Sequence, residues 1–300
     1  MAKGNALLGY SRGSVGDVTF SRVKGQQVSK ARNRQPANPK TNKQVLQRAS
    51  FINPVKFFTQ GVQALFKFAY SDKKVTESDF NAFQRHNAKA SFPVTKAEYD
   101  DPGFPALGNF LMSKGKLAGI PMIKLSSYPN GNYIDCGQSE GINTIGELSA
   151  AFVAQRYADE GDIITFVVID EDVVSMSEKE IVLADGVSPK WRILQFVVDS
   201  SSFQAIFGVL PGVVPLVEDG RVYIEFTGHA IPASEHLHSV AVIRSRETSL
   251  GLEVSTSYLQ NGGHIDAYIA NRKTDVEVGK VLADWGATGD AILQGAIAKK

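Results

Sequence analysis

The chain contains a single cysteine, Cys136, and no apolar run that approaches the roughly 20 residues needed to cross a bilayer. One cysteine excludes an internal disulfide framework, so nothing in the sequence demands an oxidising compartment. The N-terminus has one lysine and an apolar stretch of only three residues, which is too short for a signal peptide. We therefore expect a soluble intracellular protein, or one released by lysis, with no membrane contact.

Motifs of nucleotide-binding and hydrolytic enzymes are also missing. The glycine-rich stretch 9–16 lacks the Gly-Lys-Ser/Thr ending of a phosphate loop, and neither a buried strand before it nor a helix after it is predicted. No nucleophile elbow accompanies a serine. Asp135, beside Cys136, is expected to raise the pKa of the thiol, which argues against a nucleophilic cysteine. We predict a protein that is not an enzyme and uses no cofactor.

Acidic residues are almost absent from the first fifty positions. Ten basic residues there stand against one acid, Asp17, which gives a formal charge of +9. Residues 51–300 hold 22 basic and 30 acidic residues, a formal charge of −8. A basic arm joined to an acidic body indicates a polyanionic partner, or an arm that docks on an acidic surface.

The arm has the pattern of an extended ribbon over residues 7–30. Glycines punctuate it at short intervals, and Val15, Val18 and Phe20 alternate with polar residues. Lys24-Gly25 can supply the positive φ of a tight turn, so we predict strand, turn and strand. A two-stranded ribbon is marginally stable alone in water, and it therefore needs a partner or the body to lie on.

Nucleic acid, most simply single-stranded DNA, is one partner that fits this arm, because spaced cations can follow a phosphate backbone and flat rings can stack on bases. The alternative is that the arm crosses a neighbouring subunit, where its charges meet the acidic body. The two interpretations are compatible. The residues predicted to bind nucleic acid are Arg12, Arg22, Lys24, Lys30, Arg32, Arg34, Lys40, Lys43 and Arg48 for phosphate, with Tyr10 and Phe20 for stacking.

Four segments follow from the patterning: an extended arm over 1–40, a helical segment over 41–92, a β-rich body over 93–272 and C-terminal helices over 273–300. Thr41 is the predicted N-cap of a helix that Asn53-Pro54 ends. A second, phenylalanine-rich helix would begin at Pro54 and continue to about Tyr70. A third would run from Glu77 and Asp79 to about Ala90. Their phenylalanines can face a core or a subunit interface.

The body is predicted to be mostly antiparallel sheet. Residues 163–169 indicate a short buried strand, and 192–198, 221–227, 239–244 and 252–258 have strand length and patterning. Thr144 and Glu147 form a capping-box pattern that opens a helix, and Asp219-Gly220 marks a turn. Helices are predicted over 274–283 and 290–298. We therefore expect an α+β, β-rich fold with an antiparallel sandwich or a jelly-roll-like body.

Two groups of side chains contain residue types that can bind a metal ion. His229, Glu235, His236 and His238 lie close in sequence, yet they lack the spacing of a zinc motif. Residues 170–172 are Asp-Glu-Asp after a predicted strand, as in magnesium-dependent nucleases, but adjacent acids are more often a solvated loop. We predict no metal site, and a nuclease using Asp170 and Asp172 is the third of three functional hypotheses.

Several strings of the arm can be compared as a whole. They are Gly4-Asn-Ala-Leu-Leu-Gly9, Arg12-Gly-Ser-Val-Gly-Asp-Val, Arg32-Asn-Arg and Asn38-Pro-Lys-Thr-Asn-Lys-Gln, followed by Gln47-Arg48. Together they resemble a group of proteins without known activity from Bacteroidota and from small gut phages with single-stranded DNA genomes. Ala241-Val-Ile-Arg-Ser-Arg246 and Ser255-Thr-Ser-Tyr-Leu259 resemble the ending of the larger members.

The resemblance implies a phage or mobile-element setting, hence a virion or the host cytoplasm, and a role that is not enzymatic. With the basic arm, it makes a self-associating viral structural or assembly protein the leading hypothesis. A non-structural protein that coats single-stranded nucleic acid is the alternative.

Overall fold

The computed structural model describes residues 12–23, 26–34, 40–61, 63–101, 107–137, 141–176, 181–183, 190–226, 236–249 and 251–287. Within these ranges the side chains of 22–23, 129–130, 170–176, 181–183, 190, 236–238 and 263–264 lie outside the description. The chain divides into two units, 1–40 and 41–300, and each is considered by itself.

The first unit contains a three-stranded antiparallel sheet, which we call the arm sheet. Its strands are β1 (Gly13–Val15), β2 (Val18–Val23) and β3 (Gln26–Ala31), in that spatial order. Gly16 and Asp17 form a two-residue turn, and Gly16 has the positive φ (+54°) that such turns require. The predicted ribbon is confirmed, with one strand more than expected. The Lys24-Gly25 turn lies outside the described residues.

The second unit contains helices and strands in alternating groups. Its helices are α1 (Asn42–Gln60), a 3-10 helix (Gln63–Phe66), α2 (Asp79–Asn87), α3 (Lys96–Asp100), α4 (Ile145–Ala154), α5 (Ile206–Val209), α6 (Gly263–Arg272) and α7 (Asp275–Asp284). Its strands are β4 (Leu111–Ser113), β5 (Ile123–Leu125), β6 (Tyr128–Asp135), β7 (Ile163–Met176), β8 (Ile181–Leu183), β9 (Lys190–Val197), β10 (Val213–Glu218), β11 (Arg221–Phe226), β12 (His236–Thr248), β13 (Gly251–Val254), β14 (Ser257–Tyr258) and β15 (Gln260–Asn261).

Two antiparallel sheets form a sandwich, so the α+β, β-rich class is confirmed. The central sheet has the order β9-β7-β12-β13, with β8 and β15 added to β7 and β12, and the second sheet has the order β10-β11-β6-β5. Phe166 and Phe196 of the central sheet share one core with Ile134 and Ile224 of the second sheet and with Phe152 of α4. The hairpins β5-β6, β10-β11 and β12-β13 each join two neighbouring strands of the same sheet.

The other face of the central sheet packs against the N-terminal helices. Val167 and Ile169 of β7 contact a cluster that includes Phe57, Phe58 and Phe83. The core interpretation of these helices is therefore correct for most of their phenylalanines, while Phe51 and Phe68 are exposed. Because β7 is covered on both faces, it reads as a continuous apolar run instead of an alternating one.

The predicted helix break at Asn53-Pro54 is wrong, since α1 continues through Pro54 to Gln60. Proline has no N–H to donate to the carbonyl four residues earlier, which belongs to Ser50. The Ser91 hydroxyl donates to that carbonyl oxygen at 2.8 Å and replaces the missing bond. The second helix predicted from Pro54 to Tyr70 is accordingly the last part of α1 followed by the short 3-10 helix.

The structure also differs from the sequence prediction in the boundaries of other helices and strands. Strand β7 extends past residue 169, so residues 170–172 lie in a strand and not in the predicted loop. Helix α2 begins at Asp79 after an N-cap at Ser78, which leaves Glu77 outside it. Helix α6 and strand β10 were not predicted, and the predicted helix over 290–298 lies outside the described residues. No helix in the described part of the chain has the length and apolar character of a membrane span.

Candidate nucleic-acid interface

The arm sheet has two chemically different faces. Directly opposed residues of antiparallel strands share a face, and the pairs Val15–Val18, Val18–Ala31 and Phe20–Ser29 define one of them. Arg22, paired with Gln27, occupies the next position on this same face, and we call the apolar members Val15, Val18, Phe20 and Ala31 the apolar face. The pairs Ser14–Thr19, Thr19–Lys30 and Ser21–Val28 define the opposite side. We call Ser14, Thr19, Ser21, Val28 and Lys30 the polar face.

Hydroxyl groups and one ammonium group lie side by side on the polar face. The Ser14 and Thr19 hydroxyl oxygens are 2.9 Å apart and hydrogen-bonded, and Lys30 stands directly opposite Thr19 on the neighbouring strand. Lys30 is exposed. Hydroxyls and lysine are both common donors to phosphate oxygens, so this face can bind a phosphate backbone.

Asp17, the only acidic residue among the first fifty, holds the chain where it leaves strand β3. Its backbone carbonyl accepts a hydrogen bond from the Arg32 N–H at 2.6 Å, and its carboxylate forms an ion pair with Arg34. Both side chains of this ion pair are largely exposed, so the contact contributes little to stability. It does cancel one positive charge of the arm, which leaves Arg12, Lys30, Arg32 and Lys40 as its exposed cations beyond this pair among the described residues.

The predicted stacking residue Phe20 does not share a face of the arm sheet with Lys30, whereas the register places Arg22 on the same face as Phe20. Phe20 is half-buried and belongs to the apolar face, on the side of the sheet opposite Lys30. One nucleotide therefore cannot contact both. Tyr10, Lys24 and the side chain of Arg22 lie outside the described residues, and Lys40 is exposed with a positive φ of +46° just before α1.

Lys43 and Arg48 lie in the second unit, on the exposed side of α1. This helix contains no acidic residue, and Phe51 is 44 % exposed on it. Lys43 and Phe51 are eight residues apart, so they lie on one helix face, two turns from each other. Sequence reasoning missed Phe51 as an exposed ring. The sequence contained the signal for its exposure, since Val45, Ala49 and Asn53 recur every four residues and mark the buried face of α1, to which Phe51 does not belong.

The two arginines of the segment 241–246 are used for structure. Arg244 donates to the Asp162 carboxylate at 2.6 Å and to Asp159 at 2.9 Å, and Arg246 donates to Asp162 at 2.6 Å and also to Asp159. Arg244 and Asp162 are buried. We call these four residues the Arg–Asp cluster. Its charges are mutually paired, so it is not a nucleic-acid contact.

The candidate metal ligands of strands β7 and β12 are neighbours by backbone pairing. Asp170 pairs with His238 and Asp172 with His236 between β7 and β12, while the four side chains lie outside the described residues. His229 and Glu235 also lie outside them. Among the described residues, no group of three His, Cys, Asp or Glu side chains is arranged to hold a metal ion.

Cys136 is buried, and burial together with the neighbouring Asp135 raises the pKa of its thiol to about 12. The predicted direction of this pKa shift is confirmed. A thiol with so high a pKa remains protonated at neutral pH, which makes it a poor nucleophile.

A groove of about 180 Å³ lies on the central sheet beside the 3-10 helix. Phe68 and Leu252 form part of its wall, and Thr165 and Gln195 form part of its floor. The Gln195 amide donates to the Thr165 hydroxyl at 2.9 Å, so these floor groups satisfy each other. No titratable side chain lines the groove among the described residues, and it therefore offers no general acid or base.

A scan against protein-family models, a search of curated proteins and a search of solved structures each gave no match to this chain.

Proposed function

We propose that this chain is a non-enzymatic structural or assembly protein of a phage, and that its arm sheet binds single-stranded DNA. The observation that carries the proposal is the polar face of the arm sheet, where exposed Lys30 stands beside the hydrogen-bonded hydroxyls of Ser14 and Thr19. A sheet of this kind presents phosphate-binding groups in fixed positions. A dispersed tail would supply only charge.

The charge distribution supports the same proposal. The formal charge is +9 over residues 1–50 and −8 over residues 51–300. An acidic body repels a polyanion, so binding is expected to concentrate at the arm and at the basic start of α1. This arrangement leaves the body available for contacts between subunits.

A second candidate is a non-structural protein that coats single-stranded nucleic acid. The observation that favours it is Phe51, which is exposed on the acid-free helix α1 together with Lys43 and Arg48. Base stacking on one ring is worth about 1–3 kcal/mol and tolerates any sequence. The two candidates differ in whether the protein forms a defined assembly.

The test is the salt dependence of binding to a fluorescent single-stranded oligonucleotide, measured by anisotropy. Lys30→Ala removes one phosphate contact, and we expect the slope of log K against log salt to fall by roughly 0.7. Lys89→Ala removes the same charge from an exposed position of the body and serves as the matched control, with no change of slope expected.

Two outcomes would contradict the proposal. Wild-type protein that ignores DNA at low salt would end the nucleic-acid role of the arm. Equal slopes for wild type and both variants would show that DNA binds elsewhere. The same oligonucleotide should remain intact after incubation with magnesium, whereas its degradation by wild type but not by Asp170→Ala would favour the nuclease hypothesis.

A further inference from the structure

We propose that the exposed side of helix α1 contacts the bases of a bound single strand. In this contact the Phe51 ring stacks on one base and the Gln47 amide hydrogen-bonds to its edge, so that adenine is preferred over thymine. The inference rests on the proposed function, in which the arm sheet binds the phosphate backbone of single-stranded DNA. It adds base contacts, and with them a base preference, to binding that is otherwise independent of sequence.

Three exposed side chains form a line along α1. Gln44, Gln47 and Phe51 are separated by three and four residues, which places them on one face of the helix. We call these three residues the α1 stripe. With a rise of about 1.5 Å per residue, the stripe extends along about 10 Å of the helix axis. It therefore combines two amides and one aromatic ring within the reach of one or two nucleotides.

Contacts on the other side of α1 fix the direction of the stripe within the second unit. The Asn53 side chain donates to the Leu107 carbonyl oxygen at 2.6 Å, and the Ala49 carbonyl oxygen accepts from the Val94 N–H at 3.4 Å. Asn53 and Ala49 are both buried, so α1 is attached to the unit by the side that bears them. The α1 stripe therefore points away from the residues on which the helix is packed.

The composition of the helix favours nucleic acid as the partner of the stripe. Helix α1 contains no acidic residue, and the exposed cations Lys43 and Arg48 flank the stripe, so a polyanion meets no like charge along this helix. Only one of the three stripe residues is apolar. A subunit contact at this place would bury two amides that need hydrogen-bond partners, whereas the edges of bases supply such partners.

The spacing of Gln47 and Phe51 suits a single base. Residues four apart on a helix have Cβ atoms about 5–6 Å from each other, so a base that lies on the Phe51 ring presents its edge to the Gln47 amide. A side-chain amide carries a donor beside an acceptor, and adenine presents the matching pair at N6 and N7. Gln44, one turn away, offers a second amide to the adjoining nucleotide.

The test compares two oligonucleotides of equal length, one made of thymines and one with a central run of adenines. Their phosphates are equal in number, so a difference in affinity reports base contacts. We expect wild type to bind the adenine-containing strand about tenfold more tightly. The double variant Gln44→Ala with Gln47→Ala should lose this preference and keep its salt slope, because no charge is removed. Gln204→Ala changes an exposed glutamine elsewhere in the second unit and should behave like wild type.

Stacking on Phe51 has its own variants and its own readout. Phe51→Ala should weaken binding of both oligonucleotides by about tenfold without changing the salt slope. Phe207→Ala removes a ring that is 74 % exposed on helix α5 and should leave binding unchanged. In Phe51→Trp a stacked base quenches the new indole, so its fluorescence should fall on saturation with DNA by more than that of wild type, whose tryptophans are Trp191 and Trp285.

The outcomes separate the two proposals. If wild type binds neither oligonucleotide, the proposed function fails and the base contacts fail with it. If wild type binds both strands equally, or the double amide variant keeps the preference, the adenine contact is overturned while the phosphate contacts of the arm stand. If Phe51→Ala behaves like Phe207→Ala, or Phe51→Trp binds DNA without additional quenching, the stacking contact is overturned.

Discussion

At the scale of single residues, the Arg–Asp cluster places two buried charged side chains, Arg244 and Asp162, in the second unit. Burial acts to raise the pKa of Asp162, but hydrogen bonds from Arg246, from the Asp159 backbone N–H and from Arg244 outweigh it and hold the pKa below its ordinary value. The resulting stabilisation is complete above the unfolded-state pKa of about 3.9 and is lost as the pH falls through the lowered, folded-state pKa. The cluster therefore contributes fully to the free energy of unfolding at neutral pH.

Removing one member of this cluster should be costly. Asp162→Ala leaves the buried Arg244 guanidinium without its closest carboxylate, and we expect a loss of about 3–5 kcal/mol in the free energy of unfolding by urea. Asp266→Ala is the control, because it breaks a 2.6 Å ion pair with Lys124 in which the two side chains are 39 % and 41 % exposed, and it should cost less than about 1 kcal/mol. Equal losses in the two variants would show that burial of the cluster does not determine its contribution.

At the scale of elements, helix α1 shows how a remote hydroxyl overrides a local helix breaker. Sequence reasoning placed the N-cap at Thr41 correctly, and the Thr41 side chain accepts from the Gln44 N–H. The same reasoning ended the helix at Pro54, because the donor to the Ser50 carbonyl comes from Ser91, forty-one residues away. Capping is a local interaction and could be predicted from the sequence, whereas this repair depends on tertiary packing.

The repair can be measured with a double-mutant cycle. Ser91→Ala leaves the Ser50 carbonyl without a donor, which should cost about 1–3 kcal/mol in the free energy of unfolding. In a Pro54→Ala background the backbone regains an N–H at this position that can donate to the same carbonyl, so the cost of Ser91→Ala should be smaller. An equal cost in both backgrounds, measured by urea denaturation, would show that the hydroxyl contributes by another contact.

At the scale of the whole molecule, assembly is expected to depend on DNA. Free chain should scatter light with a mass near 32.5 kDa at micromolar concentration, since DNA is proposed to bring the copies together. Long single-stranded DNA at low salt should gather many copies, and about 1 M salt should release them because the Debye length falls to about 3 Å. A mass near 32.5 kDa with and without DNA would contradict an assembly role, and a large assembly without DNA would contradict the expected dependence of assembly on DNA.

Several elements could be predicted because their determinants are near neighbours in sequence. The capping box of Thr144 and Glu147 is present at the start of α4. The Asp219-Gly220 turn joins β10 to β11 with positive φ at both residues, as a type I′ turn requires. In the candidate site the arm sheet itself was foreseen, but not its two faces. Val15 and Val18 are three residues apart, which would place them on opposite faces of one strand, and only the turn between them brings them together.

The amino-acid sequence by itself determined the separation of a basic arm from an acidic body, several turns and helix caps, and the location of strands β7, β9, β11 and β12. Those features depend on composition and on contacts within a few residues. The tertiary structure decided that α1 continues through Pro54, that β7 is covered on both faces, and that Arg244 and Arg246 are bound by Asp159 and Asp162. It also decided that Phe20 and Lys30 lie on opposite faces of the arm sheet. These outcomes depend on residues that meet only when distant segments pack or when strands pair in a particular register.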